Sequence, residues 1–301
     1  MAVAEISETG RSPKGRIPAQ ASARTYPKTL SLALVAPLIL LLGFGFLYPV
    51  GQLIWGSFAG AAFDLANYRR VFAEPLYLTI LWRTLETAFI VTVAAFLLGY
   101  PVAYAMAQLR GRLATLITAC VLLSLWTSVL VRSYAWIVLL QRNGIANTIL
   151  ADAGLITAPL RLLYTEGSVI VAMTQILLPF MILPIYGSLR AIPSEFARAA
   201  RNLGAGAPTA FLKVVLPLSL PGVFAGCLMT FILALGFYVT PALVGGPRSL
   251  MMATLIGQQA TELLNWPFAG ALSTVLLITT LVIAFAFRKA LSLNKGFDRV
   301  G

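Results

Sequence analysis

Six stretches of this chain run for nineteen or more residues without a charged side chain: 29–63, 87–109, 113–131, 167–189, 214–247 and 263–287. A helix rises 1.5 Å per residue, so about 20 residues cross the roughly 30 Å of hydrocarbon in a bilayer. Lipid offers no hydrogen bonds, so the backbone of a spanning segment must satisfy itself, as a helix or within a closed barrel. A barrel would show alternating segments of about ten residues, and the sequence has none. The reading is an all-α integral membrane protein with six transmembrane helices. The first and fifth runs exceed one crossing, and their outer parts are expected to leave the membrane after about Val50 and Thr240.

Composition narrows the function classes. Charged residues are 11% of the chain and hydrophobic ones 59%, whereas a soluble domain carries about 25% charged residues. In a soluble protein a net charge of +12 would point to nucleic acid. Here the excess is an orientation signal, and the partner it implies is the lipid bilayer, with no nucleic acid. Fifteen of the 22 Lys and Arg fall in the tail before residue 29, the link 110–112, the loop 190–213 and the end from residue 288. That side carries a net +11 and the other +1, so the positive-inside rule places both termini in the cytoplasm. The absence of histidine removes imidazole bases, ligands and Ser-His nucleophile systems. Cys120 and Cys227 sit inside apolar runs and read as packing residues.

Three regions follow: a flexible cytoplasmic tail over 1–28, a six-helix transmembrane domain over 29–288, and a cytoplasmic C-terminal tail over 289–301. The first span is read as a retained anchor, since its apolar run exceeds the 7–15 residues of a signal peptide. Pro37, Pro101, Pro179, Pro184, Pro217 and Pro221 lie within spans and predict kinks. Gly222 and Gly226 form a small-xxx-small pair suited to close helix approach.

The loop 190–213 holds the most information. Ser194 is the expected N-cap of a short helix. Phe196, Ala199, Ala200 and Leu203 then form one apolar stripe, with Arg198, Arg201 and Asn202 opposite. Gly204 suits a left-handed C′ position, and Pro208 can start a second helix that runs through Phe211 into the fifth span. Such a helix either lies on lipid or presents a face to a cytoplasmic partner.

Arg198-Ala199-Ala200, three residues, Gly204, nine residues and Val214-Val215-Leu216-Pro217 resemble the Glu-Ala-Ala loop of ABC importer permeases in spacing over 20 positions. Arg198 stands where that pattern has glutamate, with Glu195 one turn upstream. Val131-Arg132-Ser133-Tyr134-Ala135-Trp136, Phe237-Tyr238-Val239-Thr240-Pro241, Gly245-Gly246-Pro247-Arg248 and the stretch 263–269 resemble the spermidine/putrescine branch. Related branches carry opines, amino-acid-like amines, thiamine or ferric iron. The resemblance implies the type I importer permease fold in a bacterial inner membrane. It implies that the loop is a cytoplasmic coupling helix docking on an ATPase, through Glu195, Arg198, Ala199, Ala200, Arg201, Leu203, Gly204, Phe211, Leu216 and Pro217. The implied partners are two copies of an ABC ATPase, a second homologous permease and an extracytoplasmic substrate-binding protein.

No cofactor is expected in this chain. Gly10 and Gly15 have Walker A spacing, but Arg16 and Ile17 stand where Lys and Ser or Thr are required. ATP and Mg are therefore expected on the partner ATPase. An ion-coupled secondary transporter would place acids or histidine within its spans, and every acid here lies in a loop or at a membrane edge, Glu86 being nearest. A membrane enzyme would need a carboxylate pair, a nucleophile–base pair or a ligand cluster. For the substrate pathway or gate the candidates are Trp126, Tyr134, Trp136, Phe237 and Tyr238. Phe237 and Tyr238 either cap a cavity facing an organic cation or belong to an interfacial aromatic belt. Arg132, Asp152, Glu166, Arg248 and Glu262 are candidates for substrate access or for docking the binding protein.

Overall fold

The computed structural model describes residues 28–58 and 64–294. Among them the secondary structure is entirely helical. Two compact units divide the chain, one ending at Gly51 and the other beginning at Gln52. The expected tails over 1–28 and 289–301 lie almost wholly outside the described residues, save that the last helix continues to Asn294 and so takes in the start of the second tail.

Helix α1 (Lys28–Leu42) passes through one π-helical turn into α2 (Tyr48–Gly56). The first span thus continues beyond Val50 to Gly56, because Gln52 is the sole strongly polar side chain between Val50 and Ser57. Leu40, Leu41 and Phe44 are exposed, as a lipid-facing surface allows. In the second unit a short helix, α3 (Ala66–Ala73), precedes α4 (Pro75–Gln108). Ser57 bonds Tyr68 at 2.6 Å, and Arg70 lies 4.7 Å from the centroid of the Phe268 ring.

The second span starts twelve residues before the uncharged run 87–109. Pro75 opens α4, and Arg83 and Glu86 are carried within it. Arg83 is accommodated because its guanidinium donates to the carbonyl of Arg248 at 3.0 Å. The third run, 113–131, is also interrupted. Helix α5 (Arg112–Trp126) ends at an extended Thr127, and α6 (Val129–Leu140) leaves at a bend of 102° before α7 (Ile145–Asp152). Arg132 does not end the helical segment, because it donates to the Ile176 carbonyl at 3.2 Å and to Ser124 at 3.4 Å. Among the described residues five helices are therefore long and apolar enough to cross a membrane, and the bent pair makes a sixth where it counts as one broken span.

Helix α8 (Glu166–Ala191) begins with a reciprocal capping box between Thr165 and Ser168. Helix α9 (Ser194–Asn202) and the single turn α10 (Ala207–Ala210) follow, then a π-helical turn (Phe211–Val215) and α11 (Leu216–Leu235). Pro193, and not Ser194, occupies the N-cap of α9. Proline there is already extended, and Ser194 becomes the first helical residue. Beyond α11 come α12 (Val239–Val244), α13 (Met252–Thr261) and α14 (Trp266–Asn294).

Helices α4, α8 and α11 pack against one another and hold the core. Met181, Ile182 and Ile185 are fully buried, with Ala95, Ala103 and Val223 in the same cluster. A Cβ on Gly226 would stand 2.9 Å from the Met181 carbonyl, and one on Gly222 would stand 2.6 Å from that of Pro184. The expected small-residue pair thus lets α11 approach the backbone of α8. Several polar groups among these helices find partners. Met252 N–H donates to Thr84 Oγ1 at 2.8 Å, Ser133 bonds Thr240 at 2.8 Å, and Ser168 donates to the Val244 carbonyl at 3.1 Å. Each bond replaces water that lipid cannot supply.

Candidate functional site

The first candidate surface is α9. Its C-terminus closes as a Schellman motif: Gly204 N–H meets the Arg201 carbonyl at 2.9 Å, and Ala205 N–H meets that of Ala200 at 3.0 Å. Gly204 has φ +87, the left-handed conformation that this motif requires of its C′ residue. The polar side carries Arg198 and Arg201, both exposed. The apolar stripe is not folded into the core: Phe196 is 52% exposed and Leu203 is 89% exposed. Ala199 is also exposed, and Ala200 is half-buried. Glu195 lies in the first turn, where an acid suits the positive helix end.

The connection from α9 to the bundle is more rigid. Phe211 makes edge-to-face contacts with Tyr104 at 5.1 Å and Tyr100 at 5.9 Å, both on α4. Tyr100 also bonds Ser219 of α11 at 2.9 Å, inside the core. Leu216 N–H bonds back to Phe211 in a wide π turn, just before Pro217, which has no N–H to give. Leu216 packs against the core and its carbonyl accepts from Ser219, whereas Pro217 is exposed. Aromatic rings in contact therefore join the segment that follows α9 to α4, and Tyr100 joins α4 to α11.

The second candidate surface is an open groove of about 560 Å³ between α11, α13 and α14. Ile232, Ile256 and Leu276 give it apolar walls, and Thr261, Ser273 and Thr280 give hydroxyls. Tyr238 lines it and is 45% exposed. Its neighbour Phe237 turns the other way, against the cluster holding Met173, Leu177 and Phe231. The structure therefore separates the two adjacent aromatics. Trp136 is half-buried and donates to Gln175 at 3.3 Å. Trp126, 83% exposed, and Tyr134 lie on exposed faces of α5 and α6 outside the groove.

The charged candidates divide among several places. Glu166 and Arg248 line one small cleft with Arg83 and Glu86. Asp152 lines another with Arg142 and Asn143. Glu262 caps α13 and is exposed. Arg132 sits between α6, α5 and α8, and its Nε is buried without a partner. It therefore joins helices and is not gathered with the outer acids. Arg83 was missed as a site residue because it lies between uncharged runs, although its distance of three residues from Glu86 places both on one helix face. Gly257, against which Tyr238 packs, carries no signal in a short helix of mixed polarity.

Comparison with known proteins adds kinship to this geometry. Residues 95–292 match the family described as binding-protein-dependent transport system inner membrane component. The chain is 35% identical over 263 residues to the spermidine/putrescine transport system permease protein PotB of Haemophilus influenzae, covering 87% of this chain and 89% of that protein. It is 35% identical over 240 residues to PotB of Escherichia coli, covering 79% and 87%. Among solved structures, a chain of the bacterial alginate ABC transporter in complex with an alginate pentasaccharide-bound periplasmic protein superposes with a TM-score of 0.70. That match has 15% identity and covers 86% of this chain and 92% of that one.

Proposed function

The chain belongs to the binding-protein-dependent transport system inner membrane components, and from that membership we propose that it is a permease subunit importing a polyamine or a related small organic amine. The observation that carries the substrate class is the likeness to spermidine/putrescine permeases over most of both chains. ATP is hydrolysed on a separate ATPase, two copies of which sit in the cytoplasm, and a second homologous permease completes the pathway. A substrate-binding protein delivers the amine at the outer face. Both termini are cytoplasmic, as the charge bias of the loops supports.

The exposed stripe of α9 meets the ATPase, with Arg198 and Arg201 on its flank. ATP-driven closure moves α9. Phe211 passes that movement to Tyr100 and Tyr104, and the bundle alternates between outward and inward access. The amine passes along the groove beside Tyr238. Its methylenes meet the apolar walls, and its ammonium groups meet the tyrosine face and the hydroxyl lone pairs of Thr261, Ser273 and Thr280. No carboxylate lines that groove, so a cation is not held there tightly, which suits passage. Glu86, Glu166, Asp152 and Glu262 serve the outer surface, where the loaded binding protein arrives.

Uptake of labelled spermidine by proteoliposomes holding the complete transporter tests this reading. Uptake should require the binding protein and internal ATP, and unlabelled putrescine should compete. Uptake driven by a proton gradient without ATP, or competition only by thiamine or ferric iron, would replace the reading.

A further inference from the structure

A cleft of about 210 Å³ lies at the end of the bundle from which α9 leaves. Gln108 lines it from the last turn of α4, Arg110 from the link that follows, Leu189 and Arg190 from the end of α8, and Ser194 from the first turn of α9. Both arginines are exposed, and neither has a hydrogen-bond or ion-pair partner among the described residues. No carboxylate lines the cleft. Two cations without partners thus face one small space, with the apolar Leu189 and Val215 in its wall.

The position is as informative as the charge. The spanning segments end at Gln108 and Ala191, so with the orientation proposed above the arginines stand at the cytoplasmic ends of two apolar helices, where headgroups are expected. Basic pockets between spanning helices on the cytoplasmic side favour anionic headgroups. We propose that this cleft binds the phosphodiester of an anionic phospholipid from the cytoplasmic leaflet, with Arg110 and Arg190 donating to its non-bridging oxygens. Guanidinium groups match such oxygens with paired N–H donors. An acidic side chain of the ATPase fits less well. Arg198, Arg201 and Leu203, exposed on α9 and just beyond it, do not line the cleft, which takes only Ser194 from that helix. Since Ser194 does, an occupying headgroup braces the root of α9.

The test uses the assembled transporter in micelles containing equal phosphatidylglycerol and phosphatidylcholine, with retained lipid measured by mass spectrometry. The wild type should enrich phosphatidylglycerol. The Arg110→Gln/Arg190→Gln variant should lose that enrichment by about thirtyfold, given the attraction expected of two basic residues at an anionic surface. Arg142→Gln/Arg161→Gln, in the outer loops, should keep it. Equal enrichment in the double variant overturns the proposal. Displacement by millimolar inorganic phosphate assigns the cleft to free phosphate, and loss of lipid on adding ATPase to the permeases assigns it to protein; either overturns the lipid reading. If the double variant does not assemble, a photoactivatable phosphatidylglycerol on the wild type decides. Adducts within 107–110 and 189–194 support the site, and adducts only elsewhere refute it. No readout involves transport, so failure here leaves the importer reading intact.

Discussion

The ring of Tyr238 occupies the space that a side chain on Gly257 would need. A methyl group there would stand 3.1 Å from both Cδ2 and Cζ of the ring and closer still to Cε2. Gly257 of α13 thereby fixes how Tyr238 lies along the groove. Gly257→Ala should slow uptake about tenfold, a mid-range overpacking penalty expressed as a rate. In a Tyr238→Ala background the same change should cost almost nothing, because the obstruction is gone. An equal defect in both backgrounds, measured as initial uptake rates at matched expression, would mean that Gly257 serves only helix packing.

Gly204 closes α9 at φ +87. Gly204→Val puts a β-branched side chain in the left-handed region, at a cost of about 1–2 kcal/mol or more. The last turn of α9 should fray, and ATPase retention on an affinity column should fall. Reversing charge at Arg198 and Arg201 should weaken retention while leaving thermal stability of the permease unchanged. Full retention and normal uptake in both variants would remove α9 from the coupling path.

Phe211 should matter more for coupling than for folding. It is half-buried and touches Tyr100 and Tyr104 edge to face. Phe211→Ala should cost about 1–2 kcal/mol, less than a fully buried phenylalanine. ATP hydrolysis should continue while uptake per ATP falls. A proportional loss of both activities would point to simple destabilisation.

Gly226 and Gly187 provide a contrast in packing. A Cβ on Gly226 would approach Met181 Sδ to 3.0 Å, whereas one on Gly187 would meet nothing within 4 Å. Gly226→Val should therefore destabilise the bundle by about 1–3 kcal/mol. Gly187→Ala should be neutral or slightly stabilising, since alanine favours the helix. Melting of the purified permease in detergent measures both.

Much of the architecture is legible in the spacing of charges, because lipid penalises an unpaired charge more than any other feature. The rule failed where a charge found a partner. Arg83 rests on the Arg248 carbonyl and Arg132 on the Ile176 carbonyl, each from a segment distant in sequence. No local pattern announces such a bond, so α4 was expected to begin too late and the bend after Trp126 was unforeseen. The helix over 194–202 was readable because stripe, spacing and Gly204 all agree. Its N-cap was misread because serine and proline both suit a helix start, and the choice depends on one dihedral. The divergence of Phe237 and Tyr238 could not be read, since two neighbours in an irregular turn need not share a face. Gly257 is legible only once the ring beside it is seen.

The uncovered stripe on α9 has a consequence for the life of the chain in a cell. Among the described residues Phe196 stays about half uncovered and Leu203 almost wholly so. A copy made without its ATPase displays the kind of surface that proteases and chaperones recognise in an unfinished protein. If α9 docks on an ATPase as proposed, the amount of this permease should follow the supply of that ATPase, and the docking helix would mark surplus copies for disposal.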